Sequence, residues 1–185
     1  FESEKKGINK KEPINSDKNI FIVGMPRRGS TLLESIITMN KNVYDLGEVN
    51  IFEESYLKYK NSKKEKSLAE LYAEKVKNKT KLKITTNKWL YNYQYAGVIS
   101  NQIPDSKIIH CYRNPLDNIL SIYRAHFKTG NNFSSSLVDS AEVYIDQNEI
   151  MKIYKKEFKN NIYGLNYDKL VTFPSEEIKS LIDWL

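Results

Sequence analysis

Scarcity sets the first limits on this chain. Cys111 is its single cysteine, so no intrachain disulfide can form, an oxidising compartment is not required, and packing is the role expected of the thiol. His110 and His126 are the only histidines, sixteen residues apart. With no second cysteine and no close carboxylate pattern they do not make a zinc site, so both are expected to be structural and no metal is expected. No apolar run approaches the roughly eighteen residues of a membrane helix, and the first residues lack a signal-peptide pattern. A cytoplasmic protein with no transmembrane segment in this chain is the expectation. No internal repeat is visible. What the chain has in excess is positive charge, 29 Lys plus Arg against 23 Asp plus Glu for a net +6, which suits an anionic ligand or acidic substrate. Part of that excess is local, from Lys58 to Lys66 and from Lys75 to Lys83, where a solvated loop or helix face is expected.

With 185 residues, 40% of them hydrophobic, one α/β domain is expected. Residues 1–18 are polar, carry Lys5, Lys6, Gly7 and Pro13, and read as a linker or domain boundary before a domain over 19–185. Because the chain begins at Phe1, a fragment or processed product is expected.

The informative stretch is Asn19 to Thr31. Ile20, Phe21, Ile22 and Val23 are an unbroken β-branched or aromatic run, as in a parallel strand covered on both faces. Gly24 and Gly29 bracket four residues and let backbone amides approach a phosphate, and a helix expected from about Thr31 to Met39 would offer its free N–H groups to an anion. The spacing is that of a P-loop, but Ser30 stands where the nucleotide-hydrolase motif has lysine, followed by Thr31. Positive charge has moved to Arg27 and Arg28, whose planar forks can meet an anion from another direction.

Beyond the loop, Val43 to Glu48 turn the chain back toward the sheet. Ser67 and Glu70 form a capping-box pattern for a helix over about 68–78 with Leu68, Leu71, Tyr72 and Val76 as its apolar side. Lys83 to Lys88 read as a second strand and a helix is expected over about 91–101, with Tyr91, Tyr93 and Tyr95 expected to pack. Lys107 to Arg113 read as a third strand. Asn114 and Pro115 then open a helix to about Phe127, as N-cap and first helical residue. Ser134 to Ser136 precede a long helix to about Phe158, Asn161 to Tyr167 give a fourth strand, and a last helix starts near Ser175. This alternation predicts an α/β fold, a parallel doubly wound P-loop-type sheet flanked by helices, with its ligand beyond the carboxyl ends of the strands. Arg27, Arg28, Lys88 and Arg113 are all expected to converge there. Four buried cations without an anion would cost several kcal/mol, so a polyanionic ligand follows. Arg113 ends the strand where a magnesium-binding NTPase would carry aspartate.

Taken together, these residues resemble the P-loop sulfotransferases that use 3′-phosphoadenosine-5′-phosphosulfate (PAPS), closest to the tyrosylprotein type and the bacterial type linked to tetratricopeptide repeats. Pro26, Arg27, Arg28, Gly29, Ser30 and Thr31 resemble that family's 5′-phosphosulfate loop, with Arg28 in place of its usual small residue. Arg113 with Ser121 resembles its 3′-phosphate motif, Gly47-Glu48 its catalytic glutamate, Asn87-Lys88 its Asn-Lys pair, and Leu165 to Leu170, including Tyr167, its Arg-Tyr-Glu-Asp-Leu segment. The resemblance implies in-line sulfuryl transfer to a hydroxyl or amine without metal, leaving 3′,5′-adenosine bisphosphate (PAP). Catalytic roles fall to Glu48 as base and to Lys88 and Arg27; nucleotide binding falls to Pro26, Arg27, Arg28, Gly29, Ser30, Thr31, Arg113, Ser121 and Tyr167. The expected partners are the anionic nucleotide and an unknown sulfate acceptor, with no nucleic acid. The resemblance also implies an N-terminal helical-repeat domain in the full-length protein and a C-terminal closing segment beyond Leu185. A PAP-binding module without turnover and a P-loop kinase are the alternatives.

Overall fold

The central strand of the sheet is the one that feeds the glycine-bracketed loop. A computed structural model describes residues 17–61, 65–125, 127 and 130–185. In it β1 (Lys18–Gly24) lies between β3 (Ile84–Asn87) and β4 (Ser106–Tyr112), with β2 (Val43–Asp45) and β5 (Ile162–Asn166) at the edges. All four pairings are parallel. After β1 the chain crosses to the edge strand β2 and returns inward to β3, then passes β1 to β4 and runs outward to β5 at the opposite edge. The loop after β1 therefore sits where the strand order reverses, the crevice in which doubly wound sheets bind ligands.

Period-two alternation along β1 builds two cores. Phe21 and Val23 face one layer with Phe52, Tyr72, Ile99, Ile108 and Met151, while Ile20 and Ile22 face the other with Leu33, Ile109, Leu165 and Leu181. Phe21, Phe52 and Tyr72 meet edge to face or tilted, with centroids 5.5 to 5.9 Å apart. The first layer is supplied by α2 (Ile51–Asn61), α3 (Leu68–Lys77), α4 (Ala96–Gln102) and α6 (Leu137–Glu157). The second is supplied by α1 (Ser30–Thr38), α7 (Tyr167–Thr172) and α8 (Pro174–Trp184). Among the described residues no helix is long and apolar enough to cross a membrane.

Local signals act as read. Ser67 and Glu70 close a full capping box on α3, and Asn114 accepts from the amides of Leu116 and Asp117 at the start of α5 (Pro115–Tyr123). The differences have local reasons. Val43–Asp45, read as a returning turn, pair with β3 and make a fifth strand. Helix α2 was not foreseen; Phe52 and Ile51 anchor it, and its last turn holds Lys58 and Lys60 on the solvated face expected there. The helix expected from residue 91 begins as a 3-10 turn over Leu90–Tyr95, α5 stops at Tyr123 rather than near Phe127, and α7 precedes the expected last helix. The linker reading of residues 1–18 falls mostly outside the described residues, as does His126; Lys18 already belongs to β1.

Candidate functional site

Between Gly24 and α1 the chain must turn sharply within van der Waals reach of two neighbours. A Cβ at Gly24, whose φ is +142°, would lie 2.6 Å from the Cys111 carbonyl oxygen, and one at Gly29, φ +78°, would lie 2.1 Å from the Tyr167 ring. Arg27 adopts φ 66°, a left-handed conformation that a residue other than glycine holds only when its surroundings enforce it. This conformation separates two consecutive arginines.

Arg27 turns outward, and its Nε donates to Ser121 Oγ at 3.2 Å. Arg28 turns inward and is 0% exposed. Its Nε donates to Asn118 Oδ1 at 2.9 Å and its Nη1 to both Gln147 Oε1 at 2.7 Å and the Cys111 carbonyl at 3.4 Å, its Nη2 has no hydrogen-bond partner among the described residues, and its guanidinium lies 4.4 Å from the Tyr144 ring centroid. The expected convergence of four cations is therefore corrected: the Arg28 side chain fastens the loop to α5 and α6 from beneath and does not face the mouth. Burial lowers its pKa to about 10, so it stays charged at neutral pH. Asn118 also donates to the Pro26 carbonyl at 2.8 Å, gripping the loop from its other end. Since Gln147 Oε1 is taken by Arg28, its amide donates to His110 Nε2 at 2.7 Å. Burial keeps that imidazole neutral by holding its pKa well below the ordinary range. His110 is structural, as expected.

On the β3 flank, the side chain of Lys88 is 7% exposed. Its Nζ donates to Glu48 Oε1 at 2.7 Å and Thr31 Oγ1 at 3.3 Å, with Glu34 Oε2 at 3.6 Å. Residues 46–48 run along the end of β3, where Leu46 N–H donates to the Thr86 carbonyl and Lys88 N–H to the Gly47 carbonyl at 3.0 and 3.1 Å. Asn87 donates to the Val49 carbonyl at 3.3 Å and accepts from Trp89 N–H at 3.2 Å. A pocket of about 390 Å³ opens here over Arg27, Thr31, Glu48, Lys88, Trp89 and Tyr91. Tyr93 and Tyr95 pack in or against the core as expected; Tyr91 also lines this pocket.

On the β4 flank, Arg113 is held loosely. Asp168 and Asp117 approach it only to 3.7 and 3.9 Å, its guanidinium lies 5.1 Å from the Tyr167 centroid, and its buried Nε has no hydrogen-bond partner among the described residues. Gly29, Ser30, Thr31, Arg113, Ser121 and Tyr167 line a second pocket of about 240 Å³, and a third of about 380 Å³ adjoins it over Arg113, Asp117, Ser121 and Arg124. Arg27 lines all three. The structure thus gathers Pro26, Arg27, Gly29, Ser30, Thr31, Glu48, Lys88, Arg113, Ser121 and Tyr167 around one continuous mouth. The sequence reading missed Glu34, Asn118, Gln147 and Arg124. The first carried a signal, an acid inside the apolar run Leu32-Leu33-Glu34-Ser35-Ile36-Ile37; Asn118 and Arg124 were visible only as polar residues one helical turn from Ser121, and Gln147 carried no local signal.

Comparison with known proteins adds family to geometry. Residues 64–185 match the model of the Sulfotransferase family. An uncharacterized protein of Aquifex aeolicus (strain VF5) is 30% identical over 193 residues, covering 91% of this chain and 25% of that protein; this chain spans about a quarter of that relative's length. Among solved structures, the sulfotransferase domain from the curacin biosynthetic pathway superposes with a TM-score of 0.64 at 16% identity, over 90% of this chain and 73% of the other. A sulfotransferase from Alicyclobacillus acidocaldarius gives 0.60 at 15%, over 90% and 80%. Shikimate kinase from Bacteroides thetaiotaomicron gives 0.53 at 14%, over 90% and 97%, so the superpositions speak for a P-loop-type fold and leave the chemistry to the site. By its sequence match, the chain belongs to the sulfotransferase family.

Proposed function

We propose that this chain binds PAPS and directs transfer of its sulfuryl group to an acceptor hydroxyl or amine. The observation that carries the reading is the division of one mouth into two flanks: a carboxylate, an ammonium and a threonine hydroxyl in contact around Lys88, and an under-partnered guanidinium, Arg113, across the loop. The residues fit a nucleotide with phosphates at both ends. The loop with Ser30 and Thr31 suits a 5′-phosphate at the start of α1, where amides and dipole favour an anion. Arg113 and Ser121, with Arg27 between the pockets, suit a 3′-phosphate; Arg forks meet phosphate oxygens well. When bound, the donor supplies the sulfuryl group: its S–O bond to the 5′-phosphate breaks as one to the acceptor oxygen or nitrogen forms, the leaving electron pair staying on phosphate.

Glu48, 64% exposed at its side chain and lining the pocket that would admit the acceptor, takes the acceptor's proton as general base. Lys88 and Arg27 face the oxygens on which negative charge collects, Lys88 from a nearly water-free position where the interaction is strongest. Thr31, already a partner of Lys88, holds the ammonium between base and phosphate.

Calorimetry with PAP and with ATP plus magnesium, followed by labelled PAPS against phenols, glycans, peptides and lipids, tests the reading. PAP binding without magnesium and labelled product with one acceptor class are expected. Magnesium-dependent ATP binding with no PAP binding would replace the proposal with a kinase; PAP binding without transfer to any class would reduce it to a nucleotide-binding module.

A further inference from the structure

Glu34 is a buried acid to which the reaction above gives no role. It lies on α1 one turn beyond Thr31 and is 5% exposed. Its Oε1 accepts from Thr86 Oγ1 at 3.0 Å, its Oε2 lies 3.6 Å from Lys88 Nζ, and its carboxyl hydrogen-bonds that of Asp45 at the end of β2. Burial, together with that contact, favours the protonated form of Glu34. Asp45 in turn accepts the Gly47 N–H at 2.5 Å, and Gly47 accepts the Lys88 N–H. Each link leads to Lys88 and Glu48.

Resting on the sulfotransfer reading, we propose that Glu34 is a positioning residue: as a neutral acid donating to Asp45 it steadies the Gly47–Glu48 turn and leaves the Lys88 ammonium to Glu48, Thr31 and a bound phosphosulfate. The groups facing Glu34 are Lys88 and Thr86 from β3 and Asp45 from β2; Glu48 reaches it only through Lys88. Burial first, then the hydrogen bond and charge of Asp45, raise its pKa from 4.5 to about 7, outweighing Lys88 and Thr86. Ionisation reverses the arrangement. The carboxylate draws Lys88 inward, away from Glu48, and the proton that tied Asp45 is gone.

The test is made on nucleotide-free protein, so it fails or succeeds apart from the choice of donor. Carbon-13 resonances of Glu34 and nitrogen-15 resonances of the lysine amines are followed against pH in the wild type, E34Q and D45N. The Glu34 carboxyl is expected to titrate near neutrality and the Lys88 Nζ resonance to move with the same midpoint. In E34Q, whose amide can still donate to Asp45 and accept from Thr86, that Lys88 transition disappears; in D45N the Glu34 midpoint moves down. Stability gives a second reading. Between about 4.5 and 7 the folded protein holds a proton the unfolded chain has lost, so this contribution is complete below that window and is lost as pH rises through it. E34Q is expected to flatten that decline. Where the sulfotransfer reading holds, turnover of the wild type falls above neutrality through kcat with little change in KM, and E34Q loses that limb. A Lys88 resonance that ignores the Glu34 titration, or the same Lys88 transition in E34Q, would overturn the proposal; absence of PAP binding in every variant would overturn the donor assignment and leave the coupling of Glu34 to Lys88 standing.

Discussion

The two flanks of the loop differ in how finished they are. Around Lys88 the polar atoms lie 2.7, 3.3 and 3.6 Å from the ammonium, in a side chain 7% exposed, whereas Arg113 is 25% exposed with carboxylates no nearer than 3.7 Å. Dry, closely spaced charges interact strongly and need no rearrangement during a reaction; loosely paired, wetter ones give up little when a ligand displaces them. Under the proposed function, chemistry falls to the β3 flank and recognition to the β4 flank, with Arg28 as the floor beneath both.

The largest expected effect tests the first assignment. Glu48→Gln keeps a partner for Lys88 but cannot take a proton, so turnover should fall by about 10²- to 10⁴-fold, or about 3–5 kcal/mol of barrier, while PAP affinity stays nearly unchanged. Comparable turnover would remove Glu48 from the mechanism and with it the chemical meaning of that flank.

Next comes the floor. Arg28→Met fills much of the same volume but leaves Asn118 Oδ1 and Gln147 Oε1 without their donor, at about 1–3 kcal/mol for each buried acceptor not otherwise satisfied. A loss of about 2–4 kcal/mol in urea unfolding, with weaker PAP binding, is expected. A variant as stable as wild type that binds PAP equally well would show that the loop holds its shape without this anchor.

On the β4 flank, Arg113→Ala should weaken PAP by about 1.5–3 kcal/mol, the scale of a charged hydrogen bond, and weaken the analogue without a 3′-phosphate by much less. Stability should hardly change, since long surface pairs contribute about 0–1 kcal/mol. Equal losses for both analogues would deny Arg113 the 3′-phosphate.

How much of this was legible depended on whether the signal was local. The strand Ile20–Val23, the bracketing glycines, the capping box of Ser67 and Glu70 and the Asn114-Pro115 helix start each act through neighbours in sequence, and each stands where the sequence placed it. Strand β2 was too short, at three residues, to show a period. The apolar residues of α2 are spread among charges. The fate of Arg28 was invisible for a different reason: which of two adjacent arginines turns inward is set by the left-handed backbone at Arg27 and by acceptors 90 and 119 residues away. Composition gave both the same charge, and only tertiary contacts separate them. Glu34 stood out in the sequence only as an acid in an apolar run; what it does there depends on partners from the ends of β2 and β3.

The smallest expected effect is the sharpest test of the contrast. Asp117 Oδ2 lies 3.9 Å from Arg113, its side chain 59% exposed, and it lines the same pocket of about 380 Å³ as Arg113, Ser121 and Arg124. A carboxylate there has two opposing influences: it repels an incoming phosphate, and it restrains the guanidinium that would greet it. If the β4 flank is loosely held, the restraint is weak at that distance and repulsion wins. Asp117→Asn should then tighten PAP by about 0.2–1 kcal/mol, roughly 1.5- to 5-fold, the range of exposed charge pairs. The gain should shrink as salt rises, because the Debye length falls from about 10 Å at 0.1 M to about 3 Å at 1 M. Losing an acid from the first turn of α5 should cost about 0.3–1 kcal/mol of stability, readable separately by unfolding. Calorimetry of PAP binding at low and high salt decides the sign. Should Asp117→Asn weaken PAP as much as Arg113→Ala does, Asp117 holds Arg113 in its binding position, and the β4 flank is set in advance as firmly as the one around Lys88.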